Sequence, residues 1–586
     1  MTTRLRHPAR LAVGVAVLLA AIVVLLVVWR AWHVRAELNA AKSAATDLQS
    51  ALDARDVDRA KVALADFQAH SSAAADQTDG PVWGGLSHLP AVGDDAAAVH
   101  TLSSVLDSVS HRGIAPLVDI VQSFDDGKLS PHQGRIPVDR IQELQGPVRE
   151  SRQTFDRAAT QLAGLDPTSY VGPLASANAQ IDEIVAKARK TLGRADKVVR
   201  LLPSMLGADG PRKYLLVLQN NAEIRSTGGF PGSVFLLEAD HGAIELTHPV
   251  AGRTFGELGA PVLPLTPAET ALFGDRAGTR FVDTNTIPDF PRDAELFAAH
   301  WKQRFDQDVD GVVSADPVLL SYLMRATGPV TASGVTLTSD NVVDQLLSSA
   351  YLRIPGADAQ DAFFREAGAG AFSAVTSAGK PEELLKAMKQ GADEGRLLVH
   401  SFHTDEQALI AGTAVEGALP EGGSHDPAVG VYLNDRTGQY GSKMSYYLRT
   451  RVHVRSDSCR HDTQVLHGRV VLSSSAPSDI ATYPDYVRGI LPGASRGTEG
   501  LVVYLLAPRG GTLGRVLLYG EAVDARSVDY GGRPAAAAYV ELPPGGHVTI
   551  RFSMRSGSGQ TGDARLDVTP GLSSSQTDQT VPSSCP

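Results

Sequence analysis

Residues 214–247 have the sequence YLLVLQNNAEIRSTGGFPGSVFLLEADHGAIELT, and this stretch decides the class of the central fold. Its apolar runs at 214–218 and 234–238 have the length of buried strands, and a polar turn then leads to a third run at 243–247. Three strands joined by turn residues predict an antiparallel meander or part of a mixed sheet.

The segment between the first two strands is predicted to be a glycine-rich loop. Glycine can adopt positive φ or let the backbone approach a ligand closely, and its N–H groups can form an anion nest. Arginine binds phosphate bidentately. The alternative is that Arg225 pairs with Glu223 or caps carbonyl groups while the glycines build a tight turn. The candidate phosphate ligands of this loop are Asn220, Asn221, Arg225, Gly228 and Gly229.

A second polar segment, 280–293, has the sequence RFVDTNTIPDFPRD. Its Arg292 is the sixth candidate phosphate ligand, and we hypothesise that Arg225 and Arg292 converge on one pocket. Phosphoryl transfer depends on positioning and charge neutralisation, in some enzymes with Mg²⁺. The candidate ligands for such an ion are Asp283, Asp289 and Asp293.

Strands and helices alternate after this segment. A helix is predicted over 294–305, a strand over 310–315 and a helix over 318–326. This alternation predicts a central α/β domain over residues 206–415.

These residues carry a resemblance. The stretches YLLVLQNNAEIRSTGGFPGS, FVDTNTIPDFPRD and DGVVSADPVLLSYLMRATGPV resemble the bacterial membrane-protein family of domain of unknown function 4012. Upstream, PVWGGLSHLPAVGDD is similar to the helical region that commonly precedes this domain, and downstream LNDRTGQYGSKMSYYL also resembles the family. The family name implies no reaction.

A more distant similarity is to the LytR-CpsA-Psr phosphotransferases, in the order of strands, arginine loop and Pro-Arg-Asp segment. These extracytoplasmic enzymes transfer glycopolymers from polyprenyl-diphosphate carriers to the cell wall, and two arginines hold the diphosphate. The resemblance implies that Arg225, in Arg-Ser-Thr, and Arg292, in Phe-Pro-Arg-Asp, are the matching residues.

The N-terminal residues predict a membrane anchor. Residues 11–29, LAVGVAVLLAAIVVLLVVW, lack any polar side chain, and a helix of that length reaches about 28 Å, close to the thickness of a bilayer core. The run is longer than the apolar core of a cleavable signal peptide. Arginines in the first ten residues place a short tail, 1–10, in the cytoplasm and the rest of the chain outside.

Residues 30–205 have helical periodicity, for example in the 3-4-3-4 spacing of Leu38, Ala41, Ala45 and Leu48. Asp56 is the predicted N-cap of a second helix. The region contains no clustered chemistry, which favours a stalk that spaces the later domains from the bilayer. The alternative is a coiled coil that binds a partner.

The C-terminal part is predicted to be β-structure. After a linker at 416–428, short alternating strands recur over 429–572, which predicts an immunoglobulin-like β-sandwich. A polar tail, 573–586, follows. We hypothesise that Cys459 and Cys585, the only two cysteines, form one disulfide that pins this tail.

Composition limits the function. The formal net charge of −11 argues against a dedicated nucleic-acid binder. The sequence predicts a multidomain α+β protein with a transmembrane helix, a helical stalk, an α/β central domain and a β-sandwich. We expect a cell-envelope scaffold or polymer-binding module whose partners are the membrane and a cell-wall glycopolymer. The alternative is a phosphotransferase acting on a polyprenyl-diphosphate lipid.

Overall fold

The computed structural model of the protein describes residues 7–585 except 91, 133, 421, 438–440, 524, 526 and 573–577; for 7–28, 169 and 578 it describes the backbone alone. The chain is a multidomain α+β protein with two compact units. The first unit holds the residues up to Leu129 together with Pro137–Pro203. The second holds Ser130–Ile136 and the chain from Ser204 onward.

The first unit is helical, and its helices pack small and aromatic side chains together. Asp56 caps the second helix by accepting a hydrogen bond from the Arg59 N–H at 3.0 Å, as predicted. Phe67 and Phe155 are buried in the two main apolar clusters of the unit. The helices are α1 (His7–Asp53), α2 (Val57–Thr78), α3 (Pro81–Leu86), α4 (Gly93–Ser108), α5 (Ala115–Asp125), α6 (Val138–Glu143), α7 (Gln145–Ala163) and α8 (Gly172–Met205).

The predicted membrane anchor, residues 11–29, falls within α1. None of the helices, as far as the chain is described, is long and apolar enough to cross a membrane. The predicted anchor at 11–29 and tail at 1–10 lie outside the residues whose side chains are described, apart from Trp29. Both therefore stay predictions.

The second unit begins with a five-stranded sheet in the order β3-β2-β1-β4-β7, in which β1 and β4 are parallel and the other neighbours antiparallel. It is therefore a mixed sheet, which is one of the two alternatives that the sequence left open. Its strands, with a separate small hairpin of β5 and β6, are β1 (Arg212–Arg225), β2 (Gly228–Asp240), β3 (Ala243–Ala251), β4 (Gly311–Ala315), β5 (Val330–Ala332), β6 (Val335–Leu337) and β7 (Leu397–Ser401).

Helices cover this sheet. The helix predicted over 294–305 begins earlier, at Phe290, because Pro291 supplies a fixed φ in its first turn. Its Phe297 and Trp301 pack with Leu215 and Val234 of the sheet. The helices are α9 (Pro267–Phe273), α10 (Arg276–Thr279), α11 (Phe290–Phe305), α12 (Pro317–Thr327), α13 (Val342–Asp344), α14 (Ala350–Arg353), α15 (Ala357–Ser377), α16 (Pro381–Asp393) and α17 (Thr404–Ile410).

The prediction that residues 219–233 form a loop is wrong. Strands β1 and β2 continue through it as one long hairpin, with Asn220 opposite Phe230 and Arg225 opposite Gly228. Between Asn220 and Ile224 the register shifts, which leaves a bulge that re-aims the side chains of β1. The glycines therefore lie in a strand, and only two residues, 226 and 227, turn the chain.

The rest of the second unit is a two-sheet region. One sheet has the order β13-β12-β16-β10-β9 and the other β14-β15-β11-β8-β17-β18. Side chains of both sheets form one apolar cluster, so the sheets face each other. With a short helix α18 (Asp485–Arg488), the strands are β8 (Ala428–Asp435), β9 (Leu448–Arg460), β10 (Thr463–Ser474), β11 (Glu499–Leu506), β12 (Thr512–Leu518), β13 (Glu521–Ala522), β14 (Val528–Asp529), β15 (Pro534–Leu542), β16 (His547–Arg555), β17 (Ala564–Val568) and β18 (Asp578–Val581).

Strand β8, in the middle of the second of these sheets, is buried on both faces. Tyr432 and Tyr504 of this sheet pack against Phe273 and Leu296 of the α9 and α11 helices. The segment 416–428 therefore connects two parts of one compact unit.

Cys459 and Cys585 are joined in a disulfide. Cys459 lies on β9 and Cys585 follows β18, and these are the edge strands of the two facing sheets. Ser456 and Ser584 add a hydrogen bond between their hydroxyl groups at 2.7 Å. The disulfide therefore closes one side of the two-sheet region.

Replacing both cysteines with serine is expected to lower the free energy of unfolding of this region by about 2–4 kcal/mol, because the disulfide restricts the unfolded chain across a sequence separation of 126 residues. Denaturant titration without reductant measures the loss. Thiol labelling of the unfolded native chain should find no free thiol before reduction and two after it. Two free thiols before reduction would contradict the pairing.

Candidate functional site

The site predicted around Arg225 is an internal charge cluster. Arg225, the last residue of β1, is only 4% exposed. Its Nη2 donates to Glu223 Oε1 at 2.8 Å and lies 3.4 Å from Asp283 Oδ1, while its Nη1 donates to the Ile224 carbonyl at 3.1 Å. These contacts are the alternative that the sequence left open: the guanidinium pairs with Glu223 and caps a carbonyl.

Lys443 of the two-sheet region completes the cluster. Its Nζ donates to Glu223 Oε2 at 2.7 Å and lies over the rings of Phe230 and Tyr351, at 5.1 and 5.2 Å from their centroids. Burial raises the pKa of Glu223, but the charges of Lys443 and Arg225 outweigh burial, so its pKa lies below the ordinary value. Glu223 is thus an ionised carboxylate between two cations. We call Glu223, Arg225, Asp283 and Lys443 the buried charge cluster.

Two further acids lie beside this cluster. Asp435, at the end of β8, accepts hydrogen bonds from the backbone N–H and hydroxyl groups of Thr437 and Ser442. Glu499 accepts one from the Ser445 hydroxyl. Burial and the neighbouring Asp435 charge raise the pKa of Glu499 well above the ordinary value. Its neutral form is therefore favoured, which limits the negative charge in the interior.

The hairpin tip is bound to the two-sheet region. The Ser226 N–H donates to Asn434 Oδ1 at 2.8 Å, and Asn434 Nδ2 donates to the Thr286 carbonyl at 3.0 Å. The Thr569 hydroxyl donates to the Ser226 carbonyl at 3.0 Å. The Arg-Ser-Thr stretch therefore holds the central sheet and the two-sheet region together.

The other candidate ligands of the predicted loop also lie within the protein and contact neighbouring residues. Asn220 Nδ2 donates to the Tyr351 hydroxyl and its Oδ1 accepts from the Ala222 N–H, while Asn221 is 1% exposed. A Cβ at Gly228 would lie 2.0 Å from the Gln219 side chain, and one at Gly229 would lie 2.3 Å from the Asn220 backbone. The glycines permit close strand pairing. The segment is therefore a pair of buried strands and not the glycine-rich loop that was predicted.

Arg292 belongs to a different ion-pair group. Its Nε donates to Glu269 Oε1 at 2.9 Å and its Nη1 to Glu295 Oε2 at 2.8 Å, and its Nη2 donates to the Pro264 carbonyl at 2.7 Å. The bond to Glu269 joins α11 to α9. Arg225 and Arg292 share no carboxylate, and the structure does not bring them onto a common partner.

Two of the three aspartates of the metal hypothesis have partners within the protein. Asp283 pairs with Arg225 and Arg280, and Asp293 is fully buried and accepts from the Thr227 hydroxyl at 2.9 Å. Burial raises the pKa of Asp293 well above its ordinary value. In the part of the chain that is described, no group of three His, Cys, Asp or Glu side chains is placed to hold a metal.

Asp289 is expected to make stability depend on pH. Burial raises its pKa from 3.8 to about 6, so the folded state binds the proton more tightly. The contribution of this carboxyl group to the free energy of unfolding is fully present below about pH 4 and is lost as the pH rises through 6. At pH 7, Asp289→Asn should raise the free energy of unfolding by roughly 1–3 kcal/mol, with no gain at pH 4.

Denaturant titrations at both pH values measure this difference. Asp308→Asn is the control, because that side chain is 84% exposed. An equal gain for Asp289→Asn at both pH values would contradict the assignment.

These contacts define an α+β protein whose central hairpin is fastened to a neighbouring two-sheet region by buried ion pairs. Residues 209–351 match the family described as a protein of unknown function (DUF4012). The family assignment made from the sequence is confirmed. No curated protein matches the chain.

The residues that sequence reasoning missed lie in the second family-like stretch, LNDRTGQYGSKMSYYL. Asn434, Asp435, Lys443 and Ser445 all belong to it, and all contact or adjoin the hairpin. The family match ends at residue 351, about eighty residues before them. The sequence offered one indication of these residues. Both this stretch and the hairpin stretch resemble the same family, which indicates that the two stretches contact each other.

Proposed function

We propose that this protein is a single-pass cell-envelope protein, with its N-terminus in the cytoplasm, whose extracytoplasmic part acts as a scaffold or polymer-binding module. The apolar run at 11–29 supports the anchor. The disulfide of Cys459 and Cys585 supports an oxidising compartment outside the cytoplasm. An immunoglobulin-like type for the two-sheet region belongs to the same proposal, since such domains commonly bind or space.

The observation that carries the choice of a scaffold is the burial of Arg225. A phosphotransferase of the LytR-CpsA-Psr type would present this guanidinium to a diphosphate. Here Glu223 and Asp283 neutralise it inside the protein, and Lys443 occupies the other oxygen of Glu223. A lipid diphosphate would have to break two buried ion pairs to reach it, which is costly.

The test is a turnover assay with the full chain in lipid nanodiscs. A polyprenyl-diphosphate-linked glycan, Mg²⁺ and a peptidoglycan acceptor are supplied, and the released polyprenyl phosphate is measured. We expect no release above protein-free nanodiscs. Release that Arg292→Ala abolishes would contradict the scaffold proposal and favour the phosphotransferase.

Membrane orientation needs its own measurement. Intact cells producing the full chain are treated with an external protease, and fragments of the two-sheet region are detected. If the bulk of the chain lies in the extracytoplasmic space, we expect the protease to cut the two-sheet region in intact cells. Protection until the cells are broken would contradict the proposed orientation.

A further inference from the structure

The outward side of the sheet formed by β9, β10 and β16 is strongly basic. Its inner side is the apolar core, where Val452, Val470 and Ile550 are buried, so the alternate residues face solvent. We call this outward side the basic face. It contains seven exposed arginines, which are Arg449, Arg451, Arg455, Arg460, Arg469, Arg551 and Arg555.

The basic face has little compensating charge. Asp457 is the one acidic residue in β9, β10 and β16, and it already contacts Arg455 and His467. Arg451, Arg469 and Arg551 form no ion pair with any other described residue. This excess of one sign is local, because the whole chain has a formal charge of −11. Such a patch concentrates anions at the surface.

The strand register places like charges beside each other. Arg469 lies directly opposite Arg551 on one side and His453 on the other. Like charges at directly opposed positions destabilise a sheet. The arrangement therefore has a cost for folding and no compensating contact within the described chain, which indicates a ligand outside it.

We propose that the basic face binds a linear anionic glycopolymer, one with a phosphate or carboxylate on each repeat. Neighbouring strands are about 4.8 Å apart and alternate residues along a strand about 6.8 Å apart. The face therefore offers an extended lattice of guanidinium groups, each able to bind a phosphate or carboxylate bidentately. This inference rests on the proposed extracytoplasmic location and names the partner of the proposed scaffold.

Two other polyanions fit the face less well. Proteins that bind single-stranded nucleic acid without sequence preference stack the bases on aromatic side chains, and the three strands present histidines but no Phe, Tyr or Trp outward. Proteins that lie on anionic bilayers insert apolar side chains beside their basic ones. None of the exposed large apolar side chains in the described chain lies on β9, β10 or β16.

The experiment measures binding of the full chain in detergent to poly(glycerol phosphate) and to polygalacturonate. Dextran, oligo(dT) and phosphatidylglycerol vesicles are compared. We expect binding of one or both anionic glycopolymers that weakens at least tenfold between about 50 and 300 mM salt, because salt screens exposed charges. The stronger of the two identifies phosphate or carboxylate as the recognised group.

The test variant is Arg451→Gln with Arg469→Gln and Arg551→Gln, expected to weaken binding at least tenfold. The matched control removes three exposed arginines elsewhere, Arg149, Arg365 and Arg496, and should change binding less than threefold. Because the test variant relieves like-charge repulsion, its Tm should equal or exceed that of the native chain. If its Tm falls, Arg469→Gln alone replaces it and should weaken binding at least threefold.

Equal weakening by test and control variants would overturn the proposal, since net charge alone would then explain binding. Tighter binding to oligo(dT) or vesicles than to either glycopolymer would overturn it too, as would no binding at all. Each of these results leaves the turnover assay of the proposed scaffold unaffected. Turnover of the polyprenyl-diphosphate carrier would contradict the scaffold proposal. The loss of glycopolymer binding in the arginine variant would still show whether the basic face binds the polymer.

Discussion

Replacing Glu223 with alanine is expected to lower the free energy of unfolding of the second unit by about 3–5 kcal/mol. The side chain is 3% exposed and neutralises both Arg225 and Lys443. Without it, two cations stay buried and only Asp283 remains as an ion-pair partner, 3.4 Å from Arg225. Removing one partner of a buried ion pair is strongly destabilising for this reason.

Denaturant titration, followed by hydrogen exchange of peptides from β1 and β8, measures this loss. Asp358→Ala is the control, because that carboxylate also pairs with an arginine but is 98% exposed; it should cost no more than about 1 kcal/mol. Adding Lys443→Met to Glu223→Gln should recover part of the loss, since both charges of that pair are then gone. A cost below about 1 kcal/mol for Glu223→Ala would show that the cluster is open to water.

Gly229→Ala is expected to cost about 3 kcal/mol. The added Cβ would lie 2.3 Å from the carbonyl carbon and oxygen of Asn220 and 2.5 Å from the Asn221 nitrogen. These are backbone atoms of the paired strand, and they cannot move without breaking the hairpin. Overpacking a tight interior typically costs 1–3 kcal/mol, and an immobile neighbour places this change at the upper end.

Gly232→Ala is the matched control on the same hairpin. A Cβ there would meet only the Phe230 side chain and carbonyl, at 3.7 Å or more, which is an ordinary contact. It should change stability by less than about 0.5 kcal/mol. The two variants are compared by thermal and denaturant unfolding of the full chain. Equal effects would mean that Gly229 is not held against Asn220, and that the segment is the loop first predicted.

The helix and strand periods of this chain could be predicted from the sequence. The runs at 214–218, 234–238 and 243–247 became paired strands, and Asp56 caps its helix, because these features depend on neighbours in sequence. The hairpin tip was mispredicted. Asn, Gly and Pro normally end strands, but here pairing with β2 and contacts with β8 override local propensity.

The candidate site shows the same division. Sequence identified Arg225, Glu223 and the glycines as an unusual group, and it left open whether they bind phosphate or each other. The choice between these alternatives depends on desolvation. Arg225 is 4% exposed because Lys443, Asn434 and Asp435, which are more than two hundred residues away in the sequence, pack around it. Burial of a charge is a property of the assembled unit and has no local signature.

The sequence by itself determined the family resemblance of residues 209–351, the first three strands of the central sheet and the two cysteines that could pair. Only the tertiary structure decided that Arg225 and Arg292 have separate partners and that seven arginines share one exposed sheet face. The physical reason is that periodicity records which side of an element is apolar. Which charges meet, and whether water reaches them, depends on strand register and on packing between distant segments.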